Sequence, residues 1–169
     1  MDSFNEYFDK LEEALTNPVP VTWQKSDDSW LGQFCISETQ YDISITRPRP
    51  DYDHYAFKFQ GNGNYVMLNN IPTALRSIPT IDAAATEFLH DVMPEALFFF
   101  ATDQSESRKM MYDRFCDKIV KSGVYQKQSR KTLGIQVYTL FKDTCDMVEL
   151  QKTISEFLTQ WFNRTPDSL

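Results

Sequence analysis

Cysteine is scarce in this chain, and its few cysteines exclude whole classes of protein. Only three of the 169 residues are cysteines: Cys35, Cys116 and Cys145. They have no C-x-x-C spacing, and an odd number cannot all pair within one chain, which argues against a disulfide scaffold. We therefore predict a reducing, cytoplasmic compartment. Cys35 and Cys116 lie within apolar patterns, so we expect both to be small core residues.

The chain also lacks long apolar runs and an excess of basic residues. No run approaches the roughly 20 apolar residues of a membrane span, and the acidic N-terminus does not resemble a signal peptide. We therefore expect no membrane partner. The formal net charge is −7, which argues against nucleic acid as a partner because phosphate binders normally carry basic patches. An acidic face that binds a basic partner, or mimics nucleic acid, stays open as an alternative.

Recognisable catalytic and metal-binding motifs are missing as well. The chain has no G-x-S-x-G sequence, so a serine hydrolase has no support. It has two histidines, and His54 lies beside Asp51 and Asp53 without a further ligand at an interpretable spacing. We predict a solvated loop there and no metal site. A cysteine nucleophile would need a base, and the sequence pairs none with Cys116.

Apolar and aromatic residues are plentiful, at 41% and 14%, which suits one domain spanning residues 1–169. Their spacing predicts helices and strands in turn. Thr80 is the predicted N-cap of the second helix, after an irregular segment 69–79, and Pro94 ends that helix. The predicted elements are a helix at 3–16, strands at 30–37, 41–46, 55–59 and 65–68, a hairpin turn at 60–64, a helix from 80, a strand at 97–101, a helix after Ser105 or Ser107, a strand at 135–141, a helix through 147–161 and a frayed tail at 165–169.

The segment from Pro94 to Lys142 indicates the architecture most clearly. An apolar run of strand length is followed by an amphipathic helix and a second strand pattern. Leu97 to Ala101 is too apolar for an edge strand, so we place it in the middle of the sheet. The predicted fold class is α/β: a single-domain mixed sheet in which an antiparallel meander precedes helix, strand, helix, strand and helix.

This order resembles the Gcn5-related N-acetyltransferase fold, and residues 80 to 142 carry most of the resemblance. The sequence RKMMYDRFCDKIVKSGVY is similar to a family pattern whose tyrosine is a general acid, which implies that role for Tyr112. The sequence KFQGNG is similar to the family's phosphate-binding element, which implies coenzyme A beside Gly61 and Gly63. A hairpin turn explains these two glycines equally well. The resemblance implies an acetyltransferase-like sandwich and, if the protein is active, acetyl-coenzyme A as its cofactor.

A second resemblance concerns Phe98 to Arg114, a segment that is similar to small phage-encoded proteins without an assigned activity. It implies a viral origin and a role directed at the host or the virion. In a phage-encoded protein the compartment would be the host cytoplasm.

One polar cluster follows the predicted central strand. The ligand- or partner-binding candidates are Asp103, Ser105, Ser107 and Arg108, with Tyr112 on the same helix face as Arg108. Arg108 could bind an anion through two hydrogen bonds. The alternative is structural: a serine caps the helix and Arg108 pairs with a neighbouring carboxylate.

Taken together, these patterns predict a non-catalytic protein that binds a host or viral protein and uses no cofactor. One alternative is an N-acyltransferase that uses acetyl-coenzyme A, with Tyr112 as its acid. Another is a structural virion or assembly protein. The stripe from Leu150 to Trp161 on the last helix is predicted to cover the sheet; if exposed, it would be a contact for homo-oligomers.

Overall fold

The computed structural model describes residues 18–36, 38–61, 71–101 and 106–164. The chain divides into two compact units, the first formed by Met1–Ile45 with Lys58–Met93 and the second by Thr46–Phe57 with Pro94–Leu169. The described strands belong to a seven-stranded mixed sheet, and helices accompany them in both units. The predicted α/β class with a mixed sheet is therefore confirmed. The assignment of the whole chain to one domain stays a prediction.

The first unit contains strands β1 (Thr22–Lys25), β2 (Ser29–Ile36) and β3 (Thr39–Thr46), and β1 pairs antiparallel with β2. Alternate residues of β2 are buried, including Trp30, Phe34 and Ile36. Cys35 has the opposite phase and is exposed, because successive strand residues point to opposite faces. The prediction that Cys35 is a core residue was wrong. Cys116 is buried, as predicted.

Helix α1 spans Ile71–Val92, so it begins well before the predicted start. Pro79 lies inside it, although a proline in a helix interior removes one backbone hydrogen bond. Ile81, Ala85 and Phe88 are buried along its apolar face, and such packing can outweigh a local preference. Thr80 is therefore no N-cap: its buried hydroxyl accepts a hydrogen bond from the Val19 amide at 2.9 Å. The predicted start of the helix was wrong because Pro79 was expected to interrupt any helix that contained it.

In the second unit the strands have the order β4-β5-β7-β6. Strand β4 (His54–Gly61), which both units share, pairs parallel with β5 (Ala96–Ala101). Strand β7 (Ile135–Phe141) pairs antiparallel with β5 on one side and with β6 (Gln126–Thr132) on the other. Strand β5 thus has a partner on each side, which confirms its predicted interior position. Strand β6 was not predicted.

Two helices cover opposite faces of this part of the sheet. Helix α2 (Glu106–Val120) contributes Tyr112 and Phe115, whose rings contact Phe99. Helix α3 (Met147–Arg164) contributes Phe157, whose ring contacts Phe98. Because neighbouring residues of β5 point to opposite faces, both faces of the strand are aromatic. The predicted role of the last helix as a cover for the sheet is confirmed, since Leu150, Ile154 and Leu158 lie in this core.

Several predictions fall outside the described residues: the helix at 3–16, the strand at 65–68 and the C-terminal tail. Of the hairpin turn predicted at 60–64, residues 62–64 lie outside them, and Gln60 and Gly61 belong to a strand. Within the described ranges no helix is both long and apolar enough to cross a membrane.

Candidate functional site

The predicted polar cluster can be located only in part. Asp103 and Ser105 lie outside the described residues, as does Gly63. Ser107 and Arg108 belong to the first turn of α2, whose backbone alone is described there. Gly61 is the buried last residue of β4. The proposed ligand contacts of this cluster therefore stay predictions.

Tyr112, the candidate acid, is a core residue of the second unit. Its side chain is 6% exposed, and its ring centroid lies 4.9 Å from that of Phe99 and 5.2 Å from that of Tyr138. Such distances are typical of packed aromatic pairs. Its neighbour Cys116 is also buried, and burial raises the pKa of that thiol to about 12. Both residues have a structural role in this packing.

A polar network that the sequence did not predict links the segment before β4 to helix α3. Arg49 donates to Glu149 Oε2 at 3.0 Å, to the Glu149 carbonyl at 3.1 Å and to Thr153 Oγ1 at 3.2 Å. Its guanidinium also lies 4.1 Å from the ring centroid of Tyr52. A guanidinium can satisfy several acceptors at once because its five N–H groups have a fixed geometry. Arg49 thus fastens the segment to the helix.

His54 and Cys145 complete the network from inside the core. His54 Nδ1 lies 2.8 Å from Thr153 Oγ1, and its Nε2 lies 3.9 Å from Cys145 Sγ. The Thr153 hydroxyl also lies within hydrogen-bond distance of the Glu149 carbonyl, at 3.1 Å, and it accepts from Arg49 at 3.2 Å. The Thr153 hydroxyl and the Cys145 thiol thus contact the two ring nitrogens of His54.

The pKa shifts of Cys145 and His54 have the opposite directions from those of a catalytic cysteine–histidine pair. Burial raises the pKa of the Cys145 thiol to about 11, and the carboxylates of Glu95 and Asp146 add to that effect. Burial lowers the pKa of His54, and the nearby charge of Arg49 lowers it further. Activating a cysteine requires a lowered thiol pKa beside a protonatable base. At neutral pH the pair is an uncharged thiol and an uncharged imidazole that hold β4 to α3.

The structure corrects the sequence interpretation of His54. It is the first residue of β4 and is 3% exposed, so the predicted solvated loop was wrong. Asp53 beside it accepts from the Glu95 amide at 3.1 Å through Oδ2, and its carbonyl accepts from the Ala96 amide. These two hydrogen bonds hold the start of β4 against the start of β5. His54 lies opposite Ala96 there and is buried. Among the described residues no group of three or more His, Cys, Asp or Glu is placed to hold a metal ion.

The second candidate site is the outer edge of β6. Among the described strands β6 pairs only with β7, and a two-residue turn, Leu133-Gly134, joins them. Both turn residues have positive φ angles, 52° and 81°, as a type I′ turn requires. In such a hairpin the flanking residues Thr132 and Ile135 form a hydrogen-bonded pair, and the pairs then alternate along the ladder.

This alternation fixes which backbone groups of β6 point away from β7. Residues 132, 130, 128 and 126 bond to β7, so the N–H and C=O groups of Lys127, Ser129 and Lys131 point outward. Nearly every residue of the strand is exposed or half-buried, with Thr132 the exception. Within the part of the chain that the structure describes, no strand pairs with this side of β6. An open strand edge is a template for a further strand.

The turn beside this edge has an unusual composition. Leu133 is 58% exposed and has a left-handed φ of 52°. Asn, Asp and Gly are the residues that tolerate this conformation in type I′ turns. Leucine therefore strains the backbone without burying its side chain in the fold.

Strand β6 escaped the sequence prediction because its seven residues, QKQSRKT, show no apolar alternation. A signal was present nonetheless. The strand pattern from Ile135 begins two residues after Thr132, and the intervening pair contains Gly134. A two-residue connection with glycine is a recognised hairpin signal. The polar network had no comparable signal, since Arg49 and Thr153 lie far apart along the chain.

In comparisons with known proteins, no family model, no curated protein and no solved structure matches the chain.

Proposed function

We propose that this protein is a non-catalytic binding protein that takes up an extended segment of a partner protein as an additional strand beside β6. The observation that carries the proposal is the open edge of that strand, with the backbone groups of Lys127, Ser129 and Lys131 pointing outward. Strand addition supplies main-chain hydrogen bonds for affinity, while side chains supply specificity.

The state of the reactive side chains supports a role without chemistry. The thiols of Cys116 and Cys145 have raised pKa values, and His54 is engaged by Thr153 and Cys145 in the core. Tyr112 packs among aromatic rings. Function has to be argued from a site, and the outer edge of β6 is an exposed site that carries three cations. The phage resemblance of Phe98 to Arg114 adds the hypothesis that the partner is a host protein.

A pair of variants at Ser129 tests strand addition. Ser129→Pro removes the outward amide proton, and proline is tolerated on an edge strand. Ser129→Ala keeps that proton, and both variants lose the hydroxyl that Gln136 contacts. A random peptide library is selected on the wild-type protein, and the recovered peptides are measured on both variants. We expect them to bind the alanine variant and to lose binding to the proline variant.

Hydrogen exchange gives an independent readout. Without a peptide, the amides of Lys127, Ser129 and Lys131 should exchange quickly, while those of Gln128 and Arg130 are protected by β7. A bound peptide should protect the first group as well. If a recovered peptide binds both Ser129 variants equally and leaves these amides unprotected, strand addition at β6 is excluded.

A second candidate function, N-acyl transfer, is favoured by the order of meander, helix, strand, helix and strands. Acetyl-coenzyme A should then raise the melting temperature in a saturable way, because a ligand of the native state stabilises it. Tyr112→Phe should lower turnover and leave the fold intact. The absence of any thermal shift would remove this candidate.

A further inference from the structure

The open edge of β6 has a charge that differs from that of the whole molecule. Its seven residues include Lys127, Arg130 and Lys131 and no carboxylate, in a chain of net charge −7. We propose that the partner segment is acidic, with two consecutive carboxylates opposite Arg130 and Lys131 and an apolar residue against Leu133. This inference rests on the proposed function, since it names the partner of the same edge.

The contacts of the three cations decide where the carboxylates belong. Lys127 already has a carboxylate partner, because its Nζ forms an ion pair with Asp117 of α2. Arg130 and Lys131 are exposed and adjacent in the strand, so they point to opposite faces of the sheet. The residues opposite them on an added strand are also adjacent. Opposite charges directly across two strands stabilise the pairing, whereas like charges oppose it.

Leu133 provides evidence independent of charge. Lysine on an edge strand often protects a protein against unwanted pairing, and this explanation would account for β6 without a partner. It does not account for an exposed leucine with a φ of 52°. Residues that break a local rule without a gain for the fold are concentrated at functional positions. An apolar contact with the partner supplies the missing reason.

A second copy of this chain fits the edge poorly. Antiparallel pairing of two β6 strands over their full length centres on Ser129 and places Lys127 opposite Lys131 twice. Like charges directly across strands destabilise such a pairing. An acidic segment from another protein meets the opposite situation, because its carboxylates face Arg130 and Lys131.

The test uses the peptides selected on the wild-type protein and a parallel selection on the charge-reversed variant Arg130→Glu/Lys131→Glu. We expect consecutive acidic residues in the first set and consecutive basic residues in the second. For a recovered acidic peptide, replacing both carboxylates by glutamine should weaken binding between about 2-fold and about 30-fold, the range expected for two cross-strand charge pairs. Added salt should reduce that difference. Leu133→Asn should also weaken binding, with Ser155→Asn, a substitution on α3, as a control.

The possible failures are distinguishable. Peptides that bind through the Ser129 amide but show no acidic preference would overturn this inference and leave strand addition in place. Failure to recover any peptide that needs the Ser129 amide would overturn the proposed function itself. Concentration-dependent protection of the Lys127, Ser129 and Lys131 amides in the protein alone would identify a second copy as the occupant. Unchanged affinity in Leu133→Asn would remove the leucine contact.

Discussion

At Leu133 the residue type does not suit the local conformation, since an exposed leucine has a left-handed φ of 52°. An L-residue in the left-handed region costs roughly 1–2 kcal/mol, and asparagine pays least of the residues that have a side chain. Leu133→Asn should therefore raise the free energy of unfolding by about 1 kcal/mol. Urea unfolding would measure this, with Leu133→Val as the control, since a β-branched residue fits a positive φ worse. A loss of stability in the asparagine variant would show that the leucine side chain stabilises the fold.

His54 should make the stability of the protein depend on pH. Its pKa in the folded protein is lowered from 6.5, so the unfolded chain binds the proton more readily. Stability is therefore full above about pH 6.5 and falls as the pH drops toward the folded pKa. His54→Asn keeps a donor for Thr153 and cannot titrate, so its unfolding midpoint should vary less between about pH 7.5 and about pH 5.5. Equal slopes for the two proteins would contradict this assignment.

At the scale of the elements, α3 depends on a single capping residue. Asp146 Oδ1 accepts from the amides of Val148 at 3.1 Å and Glu149 at 3.2 Å, the pattern of a helix N-cap. Asp146→Ala should lower the free energy of unfolding by about 1 kcal/mol. Asp146→Asn keeps the acceptor and should lose little. Thermal unfolding of the two variants compares them, and equal losses would show that the carboxylate charge matters more than the cap.

The elements also show how far the sequence could be interpreted. Strands with alternating or continuous apolar residues, such as β2 and β5, were predicted because periodicity records burial. Strand β6 is exposed, and an exposed strand leaves no apolar period. The start of α1 was missed because proline disfavours a helix interior, yet the packing of Phe88 and its neighbours tolerates Pro79.

The candidate sites were harder to predict than the elements. The Arg49 network joins residues about a hundred positions apart, and no local pattern records such a contact. His54 has two aspartates as sequence neighbours, which indicates a solvated segment. Its burial follows from pairing between β4 and β5, a long-range property. Local patterns therefore predicted the scaffold and missed both sites.

At the scale of the whole molecule, the three cysteines should divide into one accessible and two protected thiols. Cys35 is exposed, whereas Cys116 and Cys145 are buried and have raised pKa values. Because the thiolate is the reactive form, Ellman's reagent should label one thiol per native chain quickly and the other two only on unfolding. Cys35→Ser should abolish the fast phase. Two fast thiols in the native protein would contradict the described burial.

The distribution of charge over the molecule also has a consequence for selectivity. A net charge of −7 repels acidic segments in general, whereas the three cations of β6 attract them. Discrimination then comes from repulsion elsewhere as much as from attraction at the edge.

The Leu133-Gly134 turn leads to a prediction about how these two positions vary among related sequences. Gly134, at a φ of 81°, serves the fold, so selection for folding alone is enough to retain it. The proposed role of Leu133 is to contact the partner segment. Where the partner is lost, mutation of Leu133 to asparagine would impair neither folding nor binding. Among descendants of this gene, the pair at these two positions would then separate lineages that still use the edge strand from those in which only the scaffold survives.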